Sequence, residues 1–342
     1  MTYPILSYDN VTPSQFRVFL SQAYKSSKVD FLMQHGEWLY RGNRHRFIIL
    51  DGEQIAAHCG VIPASFMLNG QRQETVWMMD LSVLPEYRGR GYQRALEDHI
   101  RGLRPTTLAF TNELSTKIFD KHGWGVGERG NYYILPLRPM QIKQKFFTPT
   151  LKGQLVKLKT VITSLPTMGR LRQWESYQPR YTQEIADIAA EKLAEVFFNH
   201  HDLRQVTTSR DAEYIQWRFL EAPYRQQCRF YSAETLVLVV REAHFESGQE
   251  TRLLDIWGNL SDHKRLEDIL RTVVRDAVLS GSMRVMGISS VPSLTETLQE
   301  LNFRAEIPRL FCWVAHSAEE QAAIGRGVCH WSLADSDNDT VG

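Results

Sequence analysis

VLPEYRGRGYQRAL, residues 83–96, is the stretch whose reading decides the fold. An apolar strand pattern ends at Val83-Leu84, and Pro85, which has no N–H to donate, stops strand pairing there. Gly89 and Gly91 bracket Arg90, and a helical pattern starts at once near Tyr92. Glycines let a backbone adopt positive φ and come close to a ligand. The free amides of a loop and of the first helical turn point one way and attract anions. This geometry suits a pyrophosphate held by the backbone of Arg88, Gly89, Arg90, Gly91, Tyr92 and Gln93, with Arg88, Arg90 and Arg94 adding charge. A Walker A loop would need a Gly-Lys-Ser/Thr ending, which is absent. A dinucleotide fingerprint would need a third glycine and a parallel βαβ unit, and neither agrees with this sequence.

Before the stretch, residues 13–26 and 29–40 have helical spacing, carried by Phe16, Val18, Phe19 and Leu20, then by Phe31, Leu32, Trp38 and Leu39. RFIIL (46–50), QIAAHCGVIP (54–63), SFML (65–68) and TVWMMDLSVL (75–84) follow as strands, with turns at Asp51-Gly52 and Asn69-Gly70. They predict a mostly antiparallel meander. After the stretch come a helix to about Gly102, a strand at 106–110, a short helix in 112–124 closing at Gly123, and a strand at 131–137.

Residues 138–180 show no sheet texture, and Gln141 to Lys159 is rich in lysine with no acid. It reads as a solvated linker with some helix, or as a basic patch near an anionic ligand. Helices are expected at 183–200 and 211–220, then strands at 228–232, 235–242 and 252–258. A helix N-capped by Ser261, a strand at 283–288, a helix at 293–301 and a strand at 309–315 complete the pattern. This order repeats that of the first half, which points to two diverged copies of one fold. The expected boundaries are 1–140 for the first domain, 141–180 for a linker, 181–317 for the second domain and 318–342 for an acidic solvated tail. The tail's DSDND has the opening spacing of a calcium loop but no glycine at the sixth position, so calcium is rejected.

V-x-P-E-Y-R-G-R-G, after a strand and opening a helix, resembles the acyl-CoA signature of the GNAT superfamily of N-acyltransferases, Arg/Gln-x-x-Gly-x-Gly/Ala. Arg88 takes the first position and Gly91 the fourth, while Gln93 stands where the family has a small residue. Asn112, Ser115, Gly123 and Trp124 match the family's next helix, which an Asn begins and a Gly-aromatic pair ends. The resemblance covers roughly residues 5–137. It implies an α/β (α+β) fold with a mixed, mostly antiparallel sheet flanked by helices, here in two tandem copies. It also implies that the backbone of Leu81, Ser82 and Val83 pairs with the pantetheine arm, where strands 75–84 and 106–110 splay apart. Asn112 and Ser115 are expected near the cofactor. The tyrosine that often serves as the family's acid is Phe119 here, so Tyr132 or Tyr133 would have to substitute, or the thiolate leaves unaided.

For the base that accepts the amine's proton, Asp80 is the first candidate, an acid in an otherwise apolar strand, and His58 on a neighbouring strand is the second. Each also has a plain structural reading, an ion pair for Asp80 and a satisfied core histidine for His58. Cys59 reads as a buried thiol rather than an acyl-carrying nucleophile, and His200-His201-Asp202 as a helix end rather than a metal site. The Trp217-Arg218 stretch reads either as part of an acceptor site or as a helix with Trp217 in the core and Arg218 in solvent.

Bulk composition sets the remaining limits. At 342 residues, 43% hydrophobic and 23% charged, the chain suits two ordinary globular domains. A net charge of +1 gives no global field for nucleic acid or an anionic membrane. There is no secretory pattern at MTYPILSYDN and no apolar run long enough to span a bilayer. The four scattered cysteines fit free thiols in a reducing cytoplasm. The expected function is acyl transfer, acetyl transfer first, from acyl-CoA to a primary amine of a small molecule or amino sugar, with no metal. The second copy lacks the glycine loop and is expected to serve the acceptor. Two other readings remain: an acyl-CoA-binding sensor without catalysis, and an aminoacyl-tRNA-dependent transferase of related fold.

Overall fold

The computed structural model of the chain describes residues 3–103, 106–142, 150–245 and 248–336. In chain order, the first half contains β1 (Leu6–Ser7), α1 (Pro13–Ala23), α2 (Ser26–Leu39), β2 (Arg46–Asp51), β3 (Gln54–Leu68) and β4 (Gln71–Val83). It continues with α3 (Tyr92–Arg101), β5 (Thr106–Thr111), α4 (Glu113–Lys121) and β6 (Gly125–Pro136). The second half has α5 (Pro139–Ile142), α6 (Leu151–Glu175), β7 (Gln183–Glu184), α7 (Ala190–His200), β8 (Gln205–Thr208) and α8 (Ala212–Ile215). Then come β9 (Cys228–Ser232), β10 (Leu236–Phe245), β11 (Gly248–Gly258), α9 (His263–Leu279), β12 (Arg284–Ser289), α10 (Pro292–Glu300), β13 (Arg304–Val314), α11 (Ala318–Arg326) and β14 (Val328–His330).

The chain forms two compact units, and neither is continuous in sequence. The first takes the residues up to Gly130, Leu203–Ser209 and those from Arg309 onward; the second takes Asn131–Asp202 and Arg210–Pro308.

In the first unit β2, β3 and β4 form the antiparallel meander. The β3–β4 turn places both Asn69 (φ 53°) and Gly70 (φ 74°) in the left-handed region, the pairing that matches the twist of a tight hairpin. The crossover through α3 returns the chain to β5, parallel to β4. β5 then pairs antiparallel with Leu310–Val314 of β13, near the other end of the chain. β8 joins the far end of β3 at Phe66 and Met67, and β14 runs parallel to β8. The apolar faces of α1 (Phe16, Phe19, Leu20) and α2 (Val29, Leu32, Leu39) are buried. Trp77 stacks on Phe110 at 5.0 Å and meets Trp331 edge-on at 5.2 Å, which draws the residues after β14 into the core.

In the second unit β9, β10 and β11 are antiparallel, α9 crosses to β12 parallel to β11, and β12 pairs antiparallel with Asn131–Pro136 of β6. One face of α9 packs Leu266, Ile269, Leu270, Val273 and Val274 into a core shared with Tyr133, Trp174, Leu238 and Val285. Buried Asp268 on α9 accepts from the Tyr177 and Thr182 hydroxyls at 2.5 and 2.6 Å and from the Arg180, Tyr181 and Thr182 amides at 2.9 to 3.1 Å. Burial pushes its pKa up, but these hydrogen bonds outweigh burial and hold it below the usual range.

The structure corrects several sequence expectations. Residues 54–68 are one strand. The α9 N-cap is Asp262, whose carboxylate accepts from the Arg265 amide at 3.2 Å, and not Ser261. Residues 318–330 form α11 and β14, and Trp331, Leu333, Ala334 and Asp335 are buried, so a solvated tail from Ala318 is wrong for the described part. Asp337, Asn338 and Asp339, the rest of DSDND, lie outside the described residues. Of the lysine-rich stretch, residues 143–149 also lie outside them, and from Leu151 it is the start of α6.

Candidate functional site

The middle of β4 is where the first unit departs from regular pairing. Gly60 of β3 pairs with Met79 and His58 with Ser82, so Asp80 and Leu81 together face the single residue Cys59. This is a β-bulge, and Asp80 carries its strain: φ is 53°, in the left-handed region that a side chain disfavours. β4 pairs with β5 over Thr75–Trp77 and Thr106–Leu108, and among the described residues no pairing between them continues past Trp77. From there the strands separate, leaving Leu81, Ser82 and Val83 half-buried along the open edge.

The Asp80 side chain is held from the other side. Its carboxylate forms an ion pair with Lys28 and accepts from the Tyr40 hydroxyl at 2.6 Å; its carbonyl accepts from the Tyr24 hydroxyl at 3.0 Å and faces His58 Nδ1 at 3.3 Å. Burial and the adjacent Asp80 carboxylate raise the Tyr40 pKa well above the usual value, so its hydroxyl stays a donor. The Tyr40 ring fits because residue 60 is glycine; a Cβ there would stand 2.0 Å from Tyr40 Cε1. Arg46 lies over the rings of Tyr8 and Phe16 at 3.8 and 4.4 Å.

These contacts redefine two predicted residues. The Asp80 side chain is 1% exposed and already engaged, so it presents no face to an amine. His58 is fully buried against Phe16 and Phe19, and burial, with the Arg46 and Lys28 charges, drives its pKa down to about 3. It is a neutral imidazole whose Nδ1 donates to the Asp80 carbonyl. Cys59 is a buried thiol, its pKa raised by burial and by Asp80.

The loop after β4 meets the α3 N-terminus through two left-handed glycines, Gly89 (φ 79°) and Gly91 (φ 84°). A Cβ on Gly89 would meet nothing within 4 Å, and one on Gly91 only the edge of Tyr3, so both open toward free space. Gly91 is the N-cap and has no side chain to satisfy the first-turn amides of Tyr92, Gln93 and Arg94. Tyr3, a residue the sequence reading passed over, braces the loop: its hydroxyl donates to the Arg90 carbonyl at 2.6 Å and its ring meets Tyr92 at 4.6 Å. The arginines are less free than expected. Arg90 pairs with Asp51 at 3.2 Å and Arg94 with Asp98 at 3.0 Å, while Arg88 donates to the Val83 carbonyl at 3.3 Å. Gln93 turns aside and donates to buried Glu97 at 2.8 Å, and Glu97 also holds His122 at 2.7 Å. The long side chain at position 93 is therefore tied to Glu97 along α3.

Other predicted residues have structural work. Asn112 caps α4 by accepting from the Leu114 and Ser115 amides at 3.0 and 2.9 Å, and Ser115 returns the bond to the Asn112 amide at 3.1 Å. Phe119 is buried against Trp124 at 4.6 Å. Tyr133 is in the core of the second unit, opposite Gly287. In that unit Arg218 is fully buried and donates to the Tyr224 hydroxyl at 3.3 Å, which corrects its expected solvent position. A groove of about 240 Å³ lies in the first unit between α1 and the start of β3, lined by Gln15, Phe19, Gln22, Glu53, Ile55 and Leu84. Among the described residues no three His, Cys, Asp or Glu side chains gather as a metal site would require. No helix among them is long and apolar enough to cross a membrane.

Residues 11–127 match the family model of the acetyltransferase (GNAT) domain. Over that segment the chain is similar to a GNAT domain. The bulge, the open strand edge and the glycine loop all lie within this matched segment. Solved structures of similar fold cover most of the chain. A GCN5-related N-acetyltransferase from Kribbella flavida superposes with TM-score 0.58 at 13% identity, over 92% of this chain and 72% of that one. A counterpart from Anabaena variabilis gives 0.58 at 13%, over 92% and 73%. N-myristoyltransferase from Saccharomyces cerevisiae with bound myristoyl-CoA gives 0.61 at 12%, over 91% and 78%. No curated protein matches the sequence.

Proposed function

We propose that the chain is an acyl-CoA-dependent N-acyltransferase, acetyl-CoA being the first donor to test, with its donor site in the GNAT domain. The observation that carries this reading is the succession along one strand of the Asp80 bulge, the open edge Leu81–Val83 and the uncapped, glycine-lined start of α3. In this reading the edge amides pair with the pantetheine arm, and the loop amides with Arg88 take the pyrophosphate. A donor amide near Val83 stabilises the oxyanion as the amine nitrogen bonds to the thioester carbon and the C–S bond breaks. The thiolate leaves, and the ammonium proton passes to solvent, since Asp80 and His58 have no face free for it.

The groove beside Leu84 supports a small acceptor; Glu53 and Gln22 in its lining suit an ammonium or hydroxyl-bearing ligand. The matching order β9, β10, β11, α9, β12, α10, β13 supports reading the second half as another copy of the fold. There Asp262 caps the helix start where the first copy has the bare Gly91, its carboxylate accepting from the Arg265 amide and pairing with the Arg265 guanidinium, so that start offers a pyrophosphate no comparable open turn and this copy is read as binding no CoA. Phe119, buried and without a hydroxyl, favours a second reading as an acyl-CoA sensor. Turnover with any member of an amine panel decides between the two.

Gly91→Asp and Gly91→Asn test the donor site, because the two side chains share a shape and differ in charge. Acetyl-CoA at a hundredfold excess over Kd should stabilise the wild type by about 2.7 kcal/mol. The asparagine variant should keep part of that shift and the aspartate variant should lose it. A folded wild type that shows no shift would overturn the acyl-CoA reading.

A further inference from the structure

We propose that Lys28, Tyr40, Tyr24 and His58 form a clamp on Asp80 that sets the β4 bulge, making Asp80 a positioning residue for the acyl donor rather than the proton acceptor. The inference rests on the acyl-CoA reading above. A non-glycine residue persists at a left-handed φ when its surroundings over-determine it. Asp80 meets that condition at both ends: Lys28 and Tyr40 hold the carboxylate, and Tyr24 and His58 hold the carbonyl. These groups come from three elements. Tyr24 is the C-cap of α1, Lys28 is in the first turn of α2 and Tyr40 is its C-cap, while His58 is on β3.

Burial divides the residue in two. Its side chain is 1% exposed, whereas residue 80 as a whole and Leu81–Val83 after it are half-buried along the open edge. The side chain is thus an anchor, and what exposure residue 80 keeps is on its backbone. A bulge adds one residue to one strand. Losing it would shift the register of β4 by one residue beyond Met79, and a shift of one exchanges the faces and amide directions of Leu81, Ser82 and Val83. The glycine loop, braced separately by Tyr3, would be left as it is.

Titration calorimetry on the full chain tests this, with acetyl-CoA and with its nucleotide end alone, 3′-phosphoadenosine 5′-diphosphate, as probes. Lys28→Met removes the ion pair. Tyr40→Phe keeps the ring in its seat at Gly60 and removes one hydrogen bond, so it serves if Lys28→Met does not fold. The clamp predicts acetyl-CoA affinity reduced by about tenfold or more, the loss of one or two backbone hydrogen bonds, with nucleotide affinity unchanged. Acetyl-CoA affinity unchanged in the variants overturns the clamp, and so does an equal loss for both probes, which marks general damage. A folded wild type that binds neither probe overturns the acyl-CoA reading itself and the clamp with it.

Discussion

His58 shows how burial converts a titratable residue into a stability switch. Its folded pKa of about 3 lies below the ordinary value of 6.5. As pH falls below 6.5 the unfolded chain takes up the proton first, so stability is complete above that pH and is lost progressively down to about 3. Between pH 7.5 and 5 this one group should cost about 2 kcal/mol. His58→Gln has no such proton and should lose that much less over the same range in chemical denaturation. Equal losses in the two proteins would show that His58 does not carry the acid sensitivity. The strand position of His58 and Asp80 was legible from the apolar runs around them. Their roles were not, because Lys28, Tyr40 and Asp80 are far apart in sequence and meet only when α1 and α2 pack on the meander.

Among the elements, helix starts show the sharpest contrast. α3 begins at a bare glycine and leaves its amides open, while α4 and α9 satisfy theirs with Asn112 and Asp262. That contrast is local chemistry and could be read from the sequence, apart from the one-residue slip between Ser261 and Asp262. The attachment of α9 to the segment before β7 could not, since it depends on where Asp268 points. Asp268→Ala removes five acceptor contacts and should destabilise the protein by ~3 kcal/mol. Hydrogen exchange should then speed up at the Arg180, Tyr181 and Thr182 amides. Unchanged protection there would mean that other contacts hold the segment.

For the whole molecule, the discontinuity of the first unit has a direct consequence. The sequence texture suggested a first domain ending at residue 140, but β5 of that unit pairs with Leu310–Val314 and β3 pairs with β8. A chain ending at Met140 would expose the β5 edge and strip Trp331 and Phe311 from Trp77. It should lack cooperative unfolding and near-ultraviolet ellipticity, whereas a sharp transition in the 1–140 chain would show that the unit is self-sufficient. What the sequence determined by itself was the local content: the meander, the glycine loop opening a helix and the repeated element order, all set by side-chain periodicity, turn residues and caps within about 15 residues. Tertiary structure alone decided which segments complete each sheet, that Ile324 and residues 329–336 are buried, and that Asp80 is clamped rather than free. Those outcomes depend on long-range burial and strand pairing, and the pattern of a strand is the same whichever neighbour it finds.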